Sequence, residues 1–269
     1  MKRTLFITLF LSIFSFNSTV SADVKVVTSI KPIHSLAAYV MDGVGKPNVI
    51  VDGYNSPHGF SLKPSHAKMI ENADLIIWVG EDLEAFLEKP LNSIAKKATK
   101  IELMDLKGIK KLKFREKNIF EGHDDHGHDE HKEHGHDEHK DEHKEHGHDE
   151  HKDEHKEHDD HEGHAHGEHD PHVWLDPMNA KVIVKEITKQ LVQLDSKNSA
   201  AYKANSKKAL ADIDKLTKNI KKDLSKDLRF VVFHDAYQYF EKRFGIQVLG
   251  ALTVNTDVMP GAEQLSEIR

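Results

Sequence analysis

The sequence predicts an α/β fold built on parallel sheets, and three features lead to it. Between residues 24 and 120, short β-rich segments alternate with amphipathic helical ones. The strand segments are apolar on both faces, as strands are when helices cover both sides of a parallel sheet. After residue 170 the alternation resumes, interrupted by one long helical stretch with a single apolar stripe.

Taken in order, VKVVTSI is a strand, and PIHSLAAYVMDGVG is a helix opened by Pro32 and closed by glycines. PNVIV is the second strand, followed by KPSHAKMIENA, a helix with Pro64 in its first turn. DLIIWVG is a nearly continuous apolar strand, EDLEAFLEKPLNSIAKKA is helical, and KIELM is a short fourth strand. Beyond residue 170, Asp176 and Pro177 form a cap and first turn for a helix whose apolar face is Val184, Ile187, Leu191 and Leu194. A second long helix carries Tyr202, Ala209, Ile213, Leu216, Ile220 and Leu224 along one stripe, as expected of a strut lying across another surface. RFVVFHDAYQYFEKRFG then reads as strand, turn, helix and glycine stop, IQVLGAL as a strand, and GAEQLSEIR as the start of a helix. The expected organisation is residues 1–22 as signal peptide, 23–196 as an N-terminal α/β lobe, 197–225 as a linking helix, and 226–269 as the start of a second lobe that is incomplete in this chain.

The first residues stand apart from the fold. Lys2 and Arg3 precede TLFITLFLSIFSF, and Val20 and Ala22 occupy the small-residue positions before Asp23. This is the three-part pattern of a secretory signal peptide cleaved after Ala22, and its apolar run is too short for a membrane anchor. An exported protein is expected. It has no cysteine, so any metal site must be made from His, Asp and Glu.

The total charge of −7 conceals a strong asymmetry. Residues 121–170 hold 21 Asp or Glu against 5 Lys, a net −16 that leaves the rest of the chain at +9. The same 50 residues hold 17 of the 22 histidines, in repeats such as HDEHKEHG. With almost no apolar content they cannot build a core, and a disordered insert within the first lobe is expected. Their acidity argues against nucleic acid as a partner. Holding a metal would require ordering the tract, at roughly 1–2 kcal/mol per residue fixed. A preorganised site elsewhere should therefore bind far more tightly, with the tract as an accessory.

Five histidines lie outside the insert: His34, His58, His66, His172 and His234. His34 and His66 fall near helix starts and read as surface or capping groups. His58, in DGYNSPHGF, follows the strand PNVIV, and His234 ends the strand RFVVF. Both lie at carboxyl ends of strands, where open α/β sheets place ligands. His172, in DPHVWLDP, stands where the insert gives way to structure. Three neutral imidazoles suit Zn²⁺ and leave a fourth position for a carboxylate or water. No local motif joins these three positions, however, and a single loop histidine is more often structural than ligating.

The stretches SPHGFSLKPSHAKMIENADLIIWVGEDLEAFL, DPHVWLDPMNAKVIVKEI and FVVFHDAYQYFEKRFG resemble the metal-binding solute-binding proteins of bacterial ABC transporters. Within them they are similar to the zinc-specific, ZnuA-like branch, including its His- and acid-rich loop. The resemblance spans nearly all of residues 24–269. It implies two α/β lobes joined by a long rigid helix, metal held in the cleft between them, and His58, His172 and His234 as ligands. Pro57 stands where some zinc-specific relatives have a glutamate, and the family's acidic ligand from the second lobe would fall beyond Arg269. The expected function is high-affinity capture of Zn²⁺ in the periplasm and its delivery to a membrane ABC permease. The ion would be transported cargo, the protein a monomer, and no catalytic residue is expected. The same fold carrying Mn²⁺ or Fe²⁺ is the alternative, although those relatives mix two His with two carboxylates. A zinc hydrolase would need a carboxylate base beside bound water, and no HExxH or equivalent occurs.

Overall fold

The structure is a computed structural model that describes residues 24–115, 167–225 and 228–253. The expected signal peptide, most of the acidic insert and the expected final helix lie outside the described residues. The chain divides into two compact units, one of Met1–Lys110 with Val173–Lys222, the other of Lys111–His172 with Asp223–Arg269.

The first unit is built on four strands, β1 (Val26–Ile30), β2 (Asn48–Val51), β3 (Leu75–Trp78) and β4 (Thr99–Glu102). They form one parallel sheet in the order β2-β1-β3-β4. Each crossover carries a helix: α1 (Lys31–Val40), α2 (Pro64–Glu71) and α3 (Glu81–Ser93). Every residue of β1 and β3 is buried, including Thr28 and Ser29 of β1, and this accounts for the unbroken apolar run of β3. Ile33, Ala37 and Val40 of α1, and Leu83, Leu87 and Leu91 of α3, complete this core.

Local chemistry sets the helix boundaries. Proline occupies the first turn of α1 and α2, where no intrahelical amide is needed. Gly80 before α3 has φ +151°, and a Cβ there would lie 3.1 Å from Glu102 Oε1 and 3.2 Å from Met104 Cγ. Only glycine turns from β3 into α3 without strain at this point. The sequence predicts that α3 runs on through the following lysines. It ends instead at Ser93, where Ile94 is the cap residue and donates its N–H to the Pro90 carbonyl at 2.9 Å.

Helix α4 (Pro177–Leu194) packs on α1, with Ile183, Val184, Ile187 and Leu191 wholly buried. The Asp176 carboxylate accepts the Met178 N–H at 2.8 Å and caps its start. Leu194, expected on the buried face, is exposed. Helix α5 (Ser199–Asp223) buries Tyr202, Ser206, Ala209 and Thr217. Its Asn205 donates to the carbonyls of Val40 and Asp42, and Asp214 pairs with Lys181 of α4. The sequence predicts Leu216 on this stripe, yet it is exposed. The buried position is Thr217, one residue further along.

In the second unit, β5 (Arg229–His234), α6 (Gln238–Phe244) and β6 (Gln247–Thr253) form a parallel β-α-β unit. Gly245, with φ +66°, ends α6 in the left-handed conformation. Two short segments join this unit, Lys111–Arg115 and the residues from Gly167 to His172. They are tied by an antiparallel bridge between Lys113 and His169 and by a Lys113–Glu168 ion pair. The sequence predicts that order resumes at Pro171. The structure describes Gly167 onward, and Asp170 is fully buried. Among the described residues, no helix is long and apolar enough to cross a membrane.

Candidate metal centre

His234 is the last residue of β5, paired with Thr253 at the carboxyl ends of both strands. His172 enters the same region from the other segment of the second unit and is 5% exposed. Their Nε2 atoms are 3.4 Å apart, and the rings are tilted by 52° with centroids 5.3 Å apart. Two imidazoles on one tetrahedral Zn²⁺, each bonded at about 2.0–2.1 Å, place their nitrogens about 3.3–3.4 Å apart. The pair is therefore spaced to share one such ion.

The surroundings of the pair are built from residues distant in sequence. Asp170 Oδ1 lies 2.7 Å from His172 Nδ1 and accepts the His172 backbone N–H at 2.9 Å. Its Oδ2 accepts from Gln238 Nε2 at 3.2 Å, and its carbonyl accepts the Tyr239 hydroxyl at 2.6 Å. Next to His234, buried Asp235 pairs with Arg115, Nε to Oδ2 at 3.2 Å. The same guanidinium grips Glu241 with Nη2 at 2.5 Å, and Glu241 Oε2 accepts the Val248 N–H at 3.1 Å. One arginine thus bridges two buried carboxylates beneath the end of β5, which keeps those charges compensated.

These surroundings shift protonation. Burial, reinforced by nearby His172 and opposed by Asp170, lowers the His234 pKa to about 4. His234 is consequently neutral at pH 7 and has a lone pair for a cation. Burial raises Asp235 to about 6, reinforced by Asp170 and Glu241 and opposed by Arg115.

His58 stands in the first unit, in the loop that follows β2. That loop is shaped by short-range bonds: the Asp52 carboxylate accepts the Gly53 N–H at 2.7 Å, and Ser56 Oγ accepts the His58 N–H at 3.2 Å. The remaining two histidines have structural partners. His66 Nδ1 accepts the Lys63 N–H at the start of α2, and the His34 ring lies 3.1 Å from the Pro47 carbonyl. The sequence reading missed Asp170, Arg115, Asp235, Gln238, Tyr239 and Glu241. Asp170 is hidden there as one more acid at the end of an acidic tract, and its only local signal is its place two residues before His172.

A family model described as "Zinc-uptake complex component A periplasmic", ZnuA, matches residues 26–269. The high-affinity zinc uptake system protein ZnuA of Brucella abortus (strain 2308) is 46% identical over 261 residues, covering 96% of this chain and 76% of that protein. Its counterpart from Yersinia pestis is 34% identical over 253 residues, covering 92% and 71%. Among solved structures, a crystal structure of ZnuA superposes with a TM-score of 0.65 at 20% identity, covering 92% of this chain and 76% of that one. The AdcAII protein of Streptococcus pneumoniae superposes with 0.61 at 22% identity, covering 91% and 74%. These two likenesses bear on the fold alone.

Proposed function

Because this chain belongs to the ZnuA family of periplasmic zinc-uptake components, we propose that it captures Zn²⁺ with high affinity in the periplasm and delivers it to a membrane ABC permease. The ion is cargo, and no residue is assigned a catalytic role. His58, His172 and His234 are the proposed ligands. The observation that carries the metal assignment is the 3.4 Å separation of the His172 and His234 Nε2 atoms, which suits two nitrogens of one tetrahedral shell. His58 is assigned as the third ligand because it lies in a loop at the carboxyl end of a parallel strand. Three imidazoles leave one position for a carboxylate or water and favour zinc over the oxygen-preferring divalent ions.

Calorimetric titration of the metal-free protein tests this ligand set. Replacing any one of His58, His172 or His234 with Ala should abolish the single tight zinc event and leave the weak, multi-ion events of the His-rich tract. Tight binding retained in His172→Ala would overturn it.

A further inference from the structure

Asp170 is wholly buried, and each of its polar groups is engaged from a different direction. Oδ1 receives the His172 backbone N–H and faces His172 Nδ1, Oδ2 receives Gln238, and the carbonyl receives Tyr239. The Asp170 N–H donates to the Leu112 carbonyl at 2.8 Å, while the Leu112 N–H donates to the Tyr239 hydroxyl at 3.0 Å. The carboxylate is therefore immobile and cannot rotate away from the imidazole.

We propose that Asp170 is a positioning residue for the metal, one that holds His172 in its Nδ1–H tautomer with Nε2 turned towards His234. The inference rests on His172 and His234 being ligands. An ionised carboxylate only accepts, so the 2.7 Å contact requires a proton on His172 Nδ1 and leaves Nε2 as a lone pair. When a cation enters, His172 offers its lone pair unchanged. Removing a carboxylate behind a metal-bound histidine costs about 10- to 100-fold in affinity.

The test uses the full chain labelled with ¹⁵N in its histidine rings, in long-range ¹H–¹⁵N correlation spectra, with and without Zn²⁺. The two rings are identified by the signals lost in His172→Gln and His234→Gln. His172 should be Nδ1–H in both states. Asp170→Ala should release His172 into a mixture of tautomers and weaken zinc about 10- to 100-fold. Asp170→Asn keeps the shape and should fall between the wild type and the Ala variant. Tyr239→Phe removes a backbone anchor only, and should lower the melting temperature while leaving the His172 tautomer in place. A His172 ring carrying its proton on Nε2 in the metal-free wild type would overturn the proposal even if Asp170→Ala fails to fold. Zinc affinity within twofold of wild type in both Asp170 variants would do the same. Tight zinc retained in His172→Gln would instead overturn the ligand set, and leave the metal-free tautomer to be judged on its own.

Discussion

Glu84 shows how strongly one residue can feel its place in the fold. It lies near the start of α3 with no exposed surface, and its Oε2 accepts the N–H groups of Val79 and Gly80 at 2.8 and 3.2 Å. Burial dominates over these bonds and raises its pKa from 4.5 to about 7. The folded protein then binds this proton more tightly than the unfolded chain does. The contribution of Glu84 to stability is fully present below pH 4.5 and is lost as pH rises towards 7. Glu84→Gln keeps the shape and removes the titration. In urea unfolding of the zinc-free protein, its stability relative to wild type should rise between pH 5 and 8 by on the order of 2–3 kcal/mol. Parallel pH profiles of the two proteins would refute this. Nothing in EDLEAFLEKPLNS marks Glu84 apart from its neighbours Glu81, Asp82 and Glu88. Its burial follows from the turn at Gly80, which folds the first residues of α3 back over the ends of β3 and β4.

At the scale of the element, helix periodicity was legible, but the limits of each buried face were not. Leu191 of α4 is wholly buried, whereas Leu216 of α5 is exposed, although the two look equivalent in the sequence. Leu191→Ala should cost about 2–5 kcal/mol by chemical denaturation, the range for emptying a packed leucine site. Leu216→Ala should stay within about 1 kcal/mol. Comparable losses at both positions would mean that α5 is covered along the face the sequence suggests. Strands were easier to read. β1 and β3 are buried on both faces because parallel pairing with helices on each side leaves neither face to water. The end of α3 at Ser93 was not legible, because Pro90 lies inside the helix and does not stop it.

At the scale of the whole molecule, the His-rich tract can be separated from the site by where the chain is cut. Lys113 pairs with His169 and with Glu168, so the two strands of chain that flank the tract already lie side by side. Replacing residues 117–166 by a short Gly/Ser linker closes a smaller loop between these fixed ends, a change that enters stability only logarithmically. The protein should fold, keep its one tight zinc and bind fewer ions in total, as read by titration and metal analysis. A deletion of 121–170 also removes Asp170 and should weaken the tight event; equal behaviour of the two deletions would refute the distinction. By itself, the sequence determined the α/β class, the order of strands and helices and the exceptional tract, because hydrophobic period, proline and glycine placement and composition act over a few residues; the three candidate histidines came from the family resemblance. Only the tertiary structure decided what surrounds His172. Its neighbour His234 is 62 residues away, and Gln238, which holds Asp170, is 68 residues from it. Tyr239 reaches Leu112 across 127 residues. Such partners are chosen by how β5 and α6 pack against the chain on either side of the tract, and no local pattern encodes that packing.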